Sequence, residues 1–229
     1  MKEIVKVGLI GAGTVGGGVI KVLEKNSDDI AKKAGVKIQL VRICAKGLDA
    51  VKAEYGDAYE YTENFSDIVD DPEIDIVVEL IGREHPAKEF IQEALEKGKS
   101  VVTANKDVIA KFGSELFPIA AAHKVDLMFE ASVCGGIPII EPLRNVMSGN
   151  KIKSIMGIVN GTTNYMLSKM SDEHLDYDEV LKEAQAKGYA ESDPTADVGG
   201  FDAARKAVIL ASIAFNMAIS MKDVDINGI

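Results

Sequence analysis

Gly11-Ala-Gly13-Thr-Val-Gly16 is the stretch on which the reading of the whole chain turns. Directly before it stands Ile4–Ile10, a nearly continuous apolar run rich in β-branched residues. That is the pattern of a strand buried on both faces of a parallel sheet. Directly after it, residues 19–24 begin a helical pattern. G-x-G-x-x-G between strand and helix has a physical rationale at each glycine. The first permits a tight turn, the second lets backbone approach a pyrophosphate, and the third lets helix and strand pack closely. The helix N-terminus offers its unpaired N–H groups to the phosphates. The residues expected to hold a dinucleotide are therefore Gly11, Ala12, Gly13, Thr14, Val15 and Gly16. Alone the motif is weak; its force comes from what surrounds it.

Further along, strand and helix patterns alternate. Residues 36–44, 74–81, Ser100–Thr103 and 126–129 read as strands. Residues 65–69, 86–97 and 114–124 read as helices, the second with Pro86 near its start and Gly98 just past its end. This is the succession of βαβ units on a parallel sheet. Near residue 150 the pattern changes. Residues 151–160 alternate as a half-buried strand should, with Ile152, Ser154, Met156 and Ile158 on one face. Residues 163–170 and 177–187 read as helices, and a long helix begins at about Phe201. The expected fold is α/β: a Rossmann-like parallel-sheet domain over residues 1–140, then a smaller α+β substrate and dimerisation domain over 141–229.

Composition narrows the function. The net charge is -10 and the pI about 4.9, which disfavours nucleic acid and anionic membranes as partners. The 13-residue apolar run 207–219 is too short to span a bilayer. The N-terminus carries Glu3 and a glycine-broken apolar run, unlike a signal peptide. Cys44 and Cys134 are isolated, as in a reducing cytosol. The expected location is cytoplasmic.

Two further stretches carry chemistry. After the second strand comes Lys46-Gly47-Leu48, with no acidic residue before Asp49. A basic residue there suits a 2′-phosphate, an acidic one a free ribose, so Lys46 points to NADP over NAD; the bland alternative is a solvated loop lysine. Glu191, Asp193, Asp197 and Asp202 then precede Lys206. Asp202 and Lys206 lie four apart on one helix face, at the head of an apolar helix. Carboxylates there suit a substrate ammonium group. The lysine suits carbonyl reduction, in which an acid must meet the developing alkoxide. The bland reading is a solvated acidic loop.

Five segments, taken together, are similar to the homoserine dehydrogenase family: GLIGAGTVGGGV (8–19), VVTANKDVIA (101–110), FEASVCGGIPII (129–140), GIVNGTTNYMLSKM (157–170) and GYAESDPTADVGGFDAARKAVILA (188–211). The resemblance spans essentially the whole chain and implies interconversion of homoserine and aspartate 4-semialdehyde with a nicotinamide cofactor. It implies that Thr103 and Lys106 line the cleft between nicotinamide and substrate, and that Glu191 binds the substrate ammonium with Tyr189 and Asp202 nearby. Lys206 is implied as the proton donor, Lys106 and Asp202 completing the catalytic set. It implies a sodium ion at Glu130 and the backbone oxygens of Val133, Gly135 and Ile137, a homodimer, and a chain continuing past Ile229. Two other readings fit the motifs: an oxidoreductase on a related amino-acid aldehyde, and a catalytically silent NADP-binding sensor.

Overall fold

The computed structural model describes residues 2–229. The chain forms two compact units, one ending at Ser132, the other Val133–Ile229.

Among the described residues the first unit contains six strands and six α-helices. In chain order they are β1 (Ile4–Ile10), α1 (Thr14–Lys25), α2 (Ser27–Ala34), β2 (Lys37–Cys44), α3 (Leu48–Tyr55), β3 (Glu60–Thr62), α4 (Ser66–Val69), β4 (Ile76–Glu79), α5 (Ala87–Glu96), β5 (Ser100–Thr103), α6 (Lys106–His123) and β6 (Leu127–Met128). The sheet order is β3-β2-β1-β4-β5-β6, and every pairing is parallel. This is the doubly wound dinucleotide-binding order, in which the direction of winding switches between β1 and β4. Val7, Leu9, Leu40 and Ile43 bury against Ile20 of α1, while Ile91 and Leu95 of α5 and Leu116 of α6 are also fully enclosed. Each such side chain contributes roughly 1.5–3 kcal/mol on burial.

Three elements of this unit lack an apolar signal. Helix α2 buries none of its residues; it is held by Asp28 and Asp29 in its first turn, Lys32 and Lys33 in its last, and Gly35 in the left-handed conformation at its end. These charges complement the helix dipole. Helix α3 has no fully buried residue, and only Val51 and Tyr55 of its eight residues pack, partly buried, against the core; β3 is only three residues long. Helix α6 starts eight residues before the expected 114. The Asn105 side chain accepts from the Val108 N–H and so caps it at Lys106. Gly113 lies inside the helix, where a Cβ would come 3.0 Å from the Phe117 ring.

The second unit holds four α-helices among the described residues: α7 (Gly161–Glu173), α8 (Tyr177–Ala186), α9 (Thr195–Val198) and α10 (Phe201–Phe215). Met166, Val180 and Ala184 bury between α7 and α8, and Val208, Ile209 and Leu210 bury on α10. Residues 151–160 are not a strand, contrary to the alternating pattern. A strand needs a partner for its ladder, and no strand is assigned in this unit among the described residues. The apolar side chains are accordingly left outside, Met156 at 99% and Ile158 at 77% exposure. No helix among the described residues is long and apolar enough to cross a membrane.

Candidate active site

In the first unit the glycine loop sits at the carboxyl end of β1, beside the switch point. Gly11 has φ +96, and a Cβ there would lie 2.8 Å from the Leu80 carbonyl oxygen. At Gly16 a Cβ would fall 2.0 Å from the Gly11 oxygen, so only glycine lets α1 start this close to the strand. At Gly13 a Cβ would meet nothing within 4 Å. The second glycine thus faces open space, as a loop shaped for a pyrophosphate requires. Helix α1 has no side-chain cap and no acidic residue in its first turn, so its leading N–H groups favour an anion. Ala12 is half-buried, whereas Thr14 and Val15 are exposed.

Lys46 is exposed on the turn after β2. Gly47, at φ +68, starts α3, and its N–H donates to Glu63 Oε1 at 3.1 Å. Arg42, the other cation of that strand, is held by Glu60, by Asp71 at 2.8 Å and by the Asp67 carbonyl. It braces β2 against β3 and α4 and does not serve the loop.

At the carboxyl ends of β4 and β5 lies a polar knot. Glu79 is fully buried. Its Oε1 accepts the Ile81 N–H at 2.7 Å and its Oε2 accepts the Thr103 hydroxyl at 2.7 Å. That hydroxyl in turn accepts the Asn105 N–H at 2.9 Å, and the Asn105 amide donates to the Arg83 carbonyl at 2.8 Å. Burial pushes the Glu79 carboxyl above its ordinary range, against the hydrogen bonds it receives. Thr103 thus turns inward and fixes the turn that presents Lys106, the half-buried first residue of α6. Glu79 was not singled out from the sequence. The available signal was a carboxylate ending the apolar strand Ile76–Glu79.

Of the acidic stretch, the second unit brings Asp202 onto the lysine and ties Asp197 to it through Asn160. Lys206 Nζ lies 2.7 Å from Asp202 Oδ2, with side-chain exposures of 17% and 11%, and donates to the Val159 carbonyl at 2.6 Å. Asn160, also buried, donates to both Asp202 and Asp197. The pair is built, not a solvated charge run. Tyr189 is exposed, its ring 4.8 Å from that of Tyr165, and its carbonyl accepts the Thr162 hydroxyl at 2.6 Å. Glu191 is exposed, its loop tied down by Gln185 Nε2 on the Glu191 carbonyl at 3.1 Å. Asn160 was missed because the eye rests on the carboxylates; its signal was an Asn immediately before a Gly-Thr-Thr helix start.

Of the residues suggested for a cation, Glu130 opens a short 3-10 turn ending at Ser132. Val133 is buried, Gly135 has φ +57, and Ile137 is 70% exposed. Cys134 takes φ +60 and its carbonyl accepts the Ile137 N–H at 3.0 Å.

Family models match both parts of the chain: "Homoserine dehydrogenase, NAD binding domain" over residues 11–130 and "Homoserine dehydrogenase" over residues 138–229. The chain belongs to the homoserine dehydrogenase family. The homoserine dehydrogenase of Bacillus subtilis is 44% identical over 227 residues, covering 99% of this chain and 52% of that protein. The solved homoserine dehydrogenase of Thiobacillus denitrificans superposes with a TM-score of 0.93 at 49% identity, covering 99% of this chain and 52% of that one. A hyperthermophilic archaeal homoserine dehydrogenase in complex with NADPH gives a TM-score of 0.82 at 30% identity, covering 93% of this chain and 70% of that one. The chain spans about half the length of the curated relatives it matches. As in the family, an NAD-binding Rossmann-like unit precedes a second unit.

Proposed function

We propose that this chain carries the cofactor-binding and catalytic residues of an NADP-linked homoserine dehydrogenase, which reversibly reduces L-aspartate 4-semialdehyde to L-homoserine in threonine and methionine biosynthesis. The observation that carries the reading is the pairing of part-buried Lys206 with buried Asp202, placed downstream in sequence of a complete dinucleotide loop. Family membership and the NADPH complex of the archaeal relative support it.

The loop fits the cofactor: Gly13 leaves room for the pyrophosphate and α1 supplies donors. Lys46, with no carboxylate beside it in sequence before Asp49, favours the 2′-phosphate of NADP over the free ribose of NAD. When bound, the nicotinamide supplies or accepts the hydride. Lys206 Nζ gives a proton to the carbonyl oxygen in reduction and takes it back in oxidation. Asp202 holds that ammonium in place, and Lys106 supports the same chemistry from the head of α6. Glu191, with Tyr189, meets the substrate ammonium. For a sodium ion the proposed donors would be the Glu130 side chain and the backbone oxygens of Val133, Gly135 and Ile137, hard oxygen ligands of the kind that suit it.

The working assembly we propose is a cytoplasmic homodimer. The segment 151–160, with Met156 and Ile158 outside, supports it, because apolar side chains exposed together mark an interaction surface. Sedimentation velocity at rising concentration should show a dimer; a monomer throughout would remove this part of the reading. The activity is tested by NADPH fluorescence on addition of aspartate 4-semialdehyde. Decay is expected. Tight NADPH binding with no decay for this or any related amino-acid aldehyde would favour a silent sensor.

A further inference from the structure

Asn160 is 7% exposed and every hydrogen-bonding position of its side chain is used. Its Nδ2 has two N–H groups. One reaches Asp197 Oδ1 at 2.8 Å and the other Asp202 Oδ2 at 2.8 Å. Its Oδ1 accepts the Thr163 N–H at 2.8 Å and the Thr163 hydroxyl at 2.9 Å. The orientation of the amide is therefore decided by its partners. Flipped, it would set a carbonyl against two carboxylates and an NH₂ group against a backbone N–H.

The amide thus does two jobs at once. Through its oxygen it is the N-cap of α7. Through its nitrogen it bridges α9 and α10, and the carboxylate it grips on α10 is the one paired with Lys206. Its chain neighbour Val159 offers the carbonyl that takes Lys206 Nζ at 2.6 Å. Two consecutive residues hold both members of the pair, one by side chain and one by backbone. The segment doing so, 151–160, has no ladder of its own to fix it.

We propose that Asn160 is a positioning residue for the reaction: by bridging Asp197 and Asp202 it fixes the Asp202–Lys206 pair in the geometry proton transfer needs. The proposal rests on the acid–base reading of Lys206. An ordinary capping role makes a different forecast. Asp and Ser serve as N-caps about as well as Asn, so if capping were all, either would replace it silently. Asn160→Asp keeps the cap but loses both donors and adds a third carboxylate beside two others. Asn160→Ser keeps a cap, adds no charge and is too short to bridge.

The test compares the parent, both variants and Lys206→Ala, by turnover and by ¹³Cε-lysine NMR. The Lys206 signal is assigned by its loss in Lys206→Ala. Misplacing a catalytic group by about 1 Å can cost about 10²-fold. Both Asn160 variants should therefore lose turnover on that order with NADPH affinity unchanged, and the Lys206 signal should move. Should the added charge keep Asn160→Asp from folding, Asn160→Ser alone carries the comparison. Parental turnover and an unmoved Lys206 signal in a folded variant would overturn the proposal. Near-parental turnover in Lys206→Ala would instead sink the acid–base reading, and the NMR comparison would still decide whether Asn160 fixes the lysine.

Discussion

The glycine loop after β1 and the cluster around Asp202 are built on opposite principles. The loop works through backbone: glycines that leave space, and N–H groups at a helix start. The cluster works through side chains from three places in the second unit, Asn160, Asp197 and the Asp202–Lys206 pair, locked together in a buried setting. A backbone site is specified by local sequence and tolerates change in everything but its small residues. A side-chain site is specified by partners far apart in sequence, and each member depends on the others. The two should therefore fail differently when disturbed.

The largest effect is expected in the side-chain site. Lys206→Ala should lower turnover by about 10²–10⁴-fold, the usual contribution of a general acid–base group. NADPH affinity, measured by fluorescence titration, should stay at the parental value. Glu191→Ala should act differently, raising KM for homoserine more than it lowers kcat, because the proposed ammonium contact would be present in both ground and transition states.

In the backbone site, Gly13→Ala should fold normally, since its Cβ meets nothing within 4 Å. It should nonetheless bind NADPH more weakly. Its methyl group would hold the pyrophosphate off the loop N–H groups, and losing one hydrogen bond to a charged group costs about 1.5–3 kcal/mol, or about ten- to a hundredfold in affinity. Gly16→Ala, with its Cβ 2.0 Å from a backbone oxygen, should instead lower the thermal midpoint. Equal loss of stability in both variants would break the assignment of separate roles to the two glycines.

Smaller again is the effect at Lys46. Lys46→Ala should narrow the preference for NADPH over NADH without abolishing binding of either; equal affinities for both in the parent would remove the NADP assignment and leave the fold untouched.

The same contrast explains what could be read from the sequence. Ile4–Ile10, Ser100–Thr103 and the loop between β1 and α1 were legible because periodicity and glycine spacing are local signals. Helix α2 was not, because it buries no residue and apolar periodicity is silent on a solvated helix; α3 was not, because its eight residues are too few for Val51 and Tyr55, only partly buried against the core, to make a decisive stripe. Residues 151–160 alternate as a strand does, but alternation cannot supply a partner, and the segment stays unpaired. Within the site, Lys206 and Asp202 were legible as an i, i+4 pair. Asn160 was not, because its value lies in contacts 37 and 42 residues away. Glu79 was hidden likewise, being anchored to Thr103 across 24 residues.

The smallest effect separates the cysteines. Burial pushes the Cys44 thiol up to about 11, the Asp67 and Glu63 carboxylates adding to it. The nucleophilic thiolate is therefore scarce at neutral pH. A maleimide reagent should label Cys134, which is partly exposed, and spare Cys44 until the protein unfolds. Prompt labelling of both would show that β2 is more accessible than its packing indicates.

The division of labour between the two regions is tested most directly by titrating NADPH into Gly13→Ala and Lys206→Ala side by side and reading turnover with aspartate 4-semialdehyde at saturating cofactor. Weakened binding with recovered turnover is expected in Gly13→Ala, and parental binding with turnover lost by about 10²-fold or more in Lys206→Ala. Parental turnover in Lys206→Ala, or a loss of NADPH affinity there equal to that of Gly13→Ala, would contradict that division.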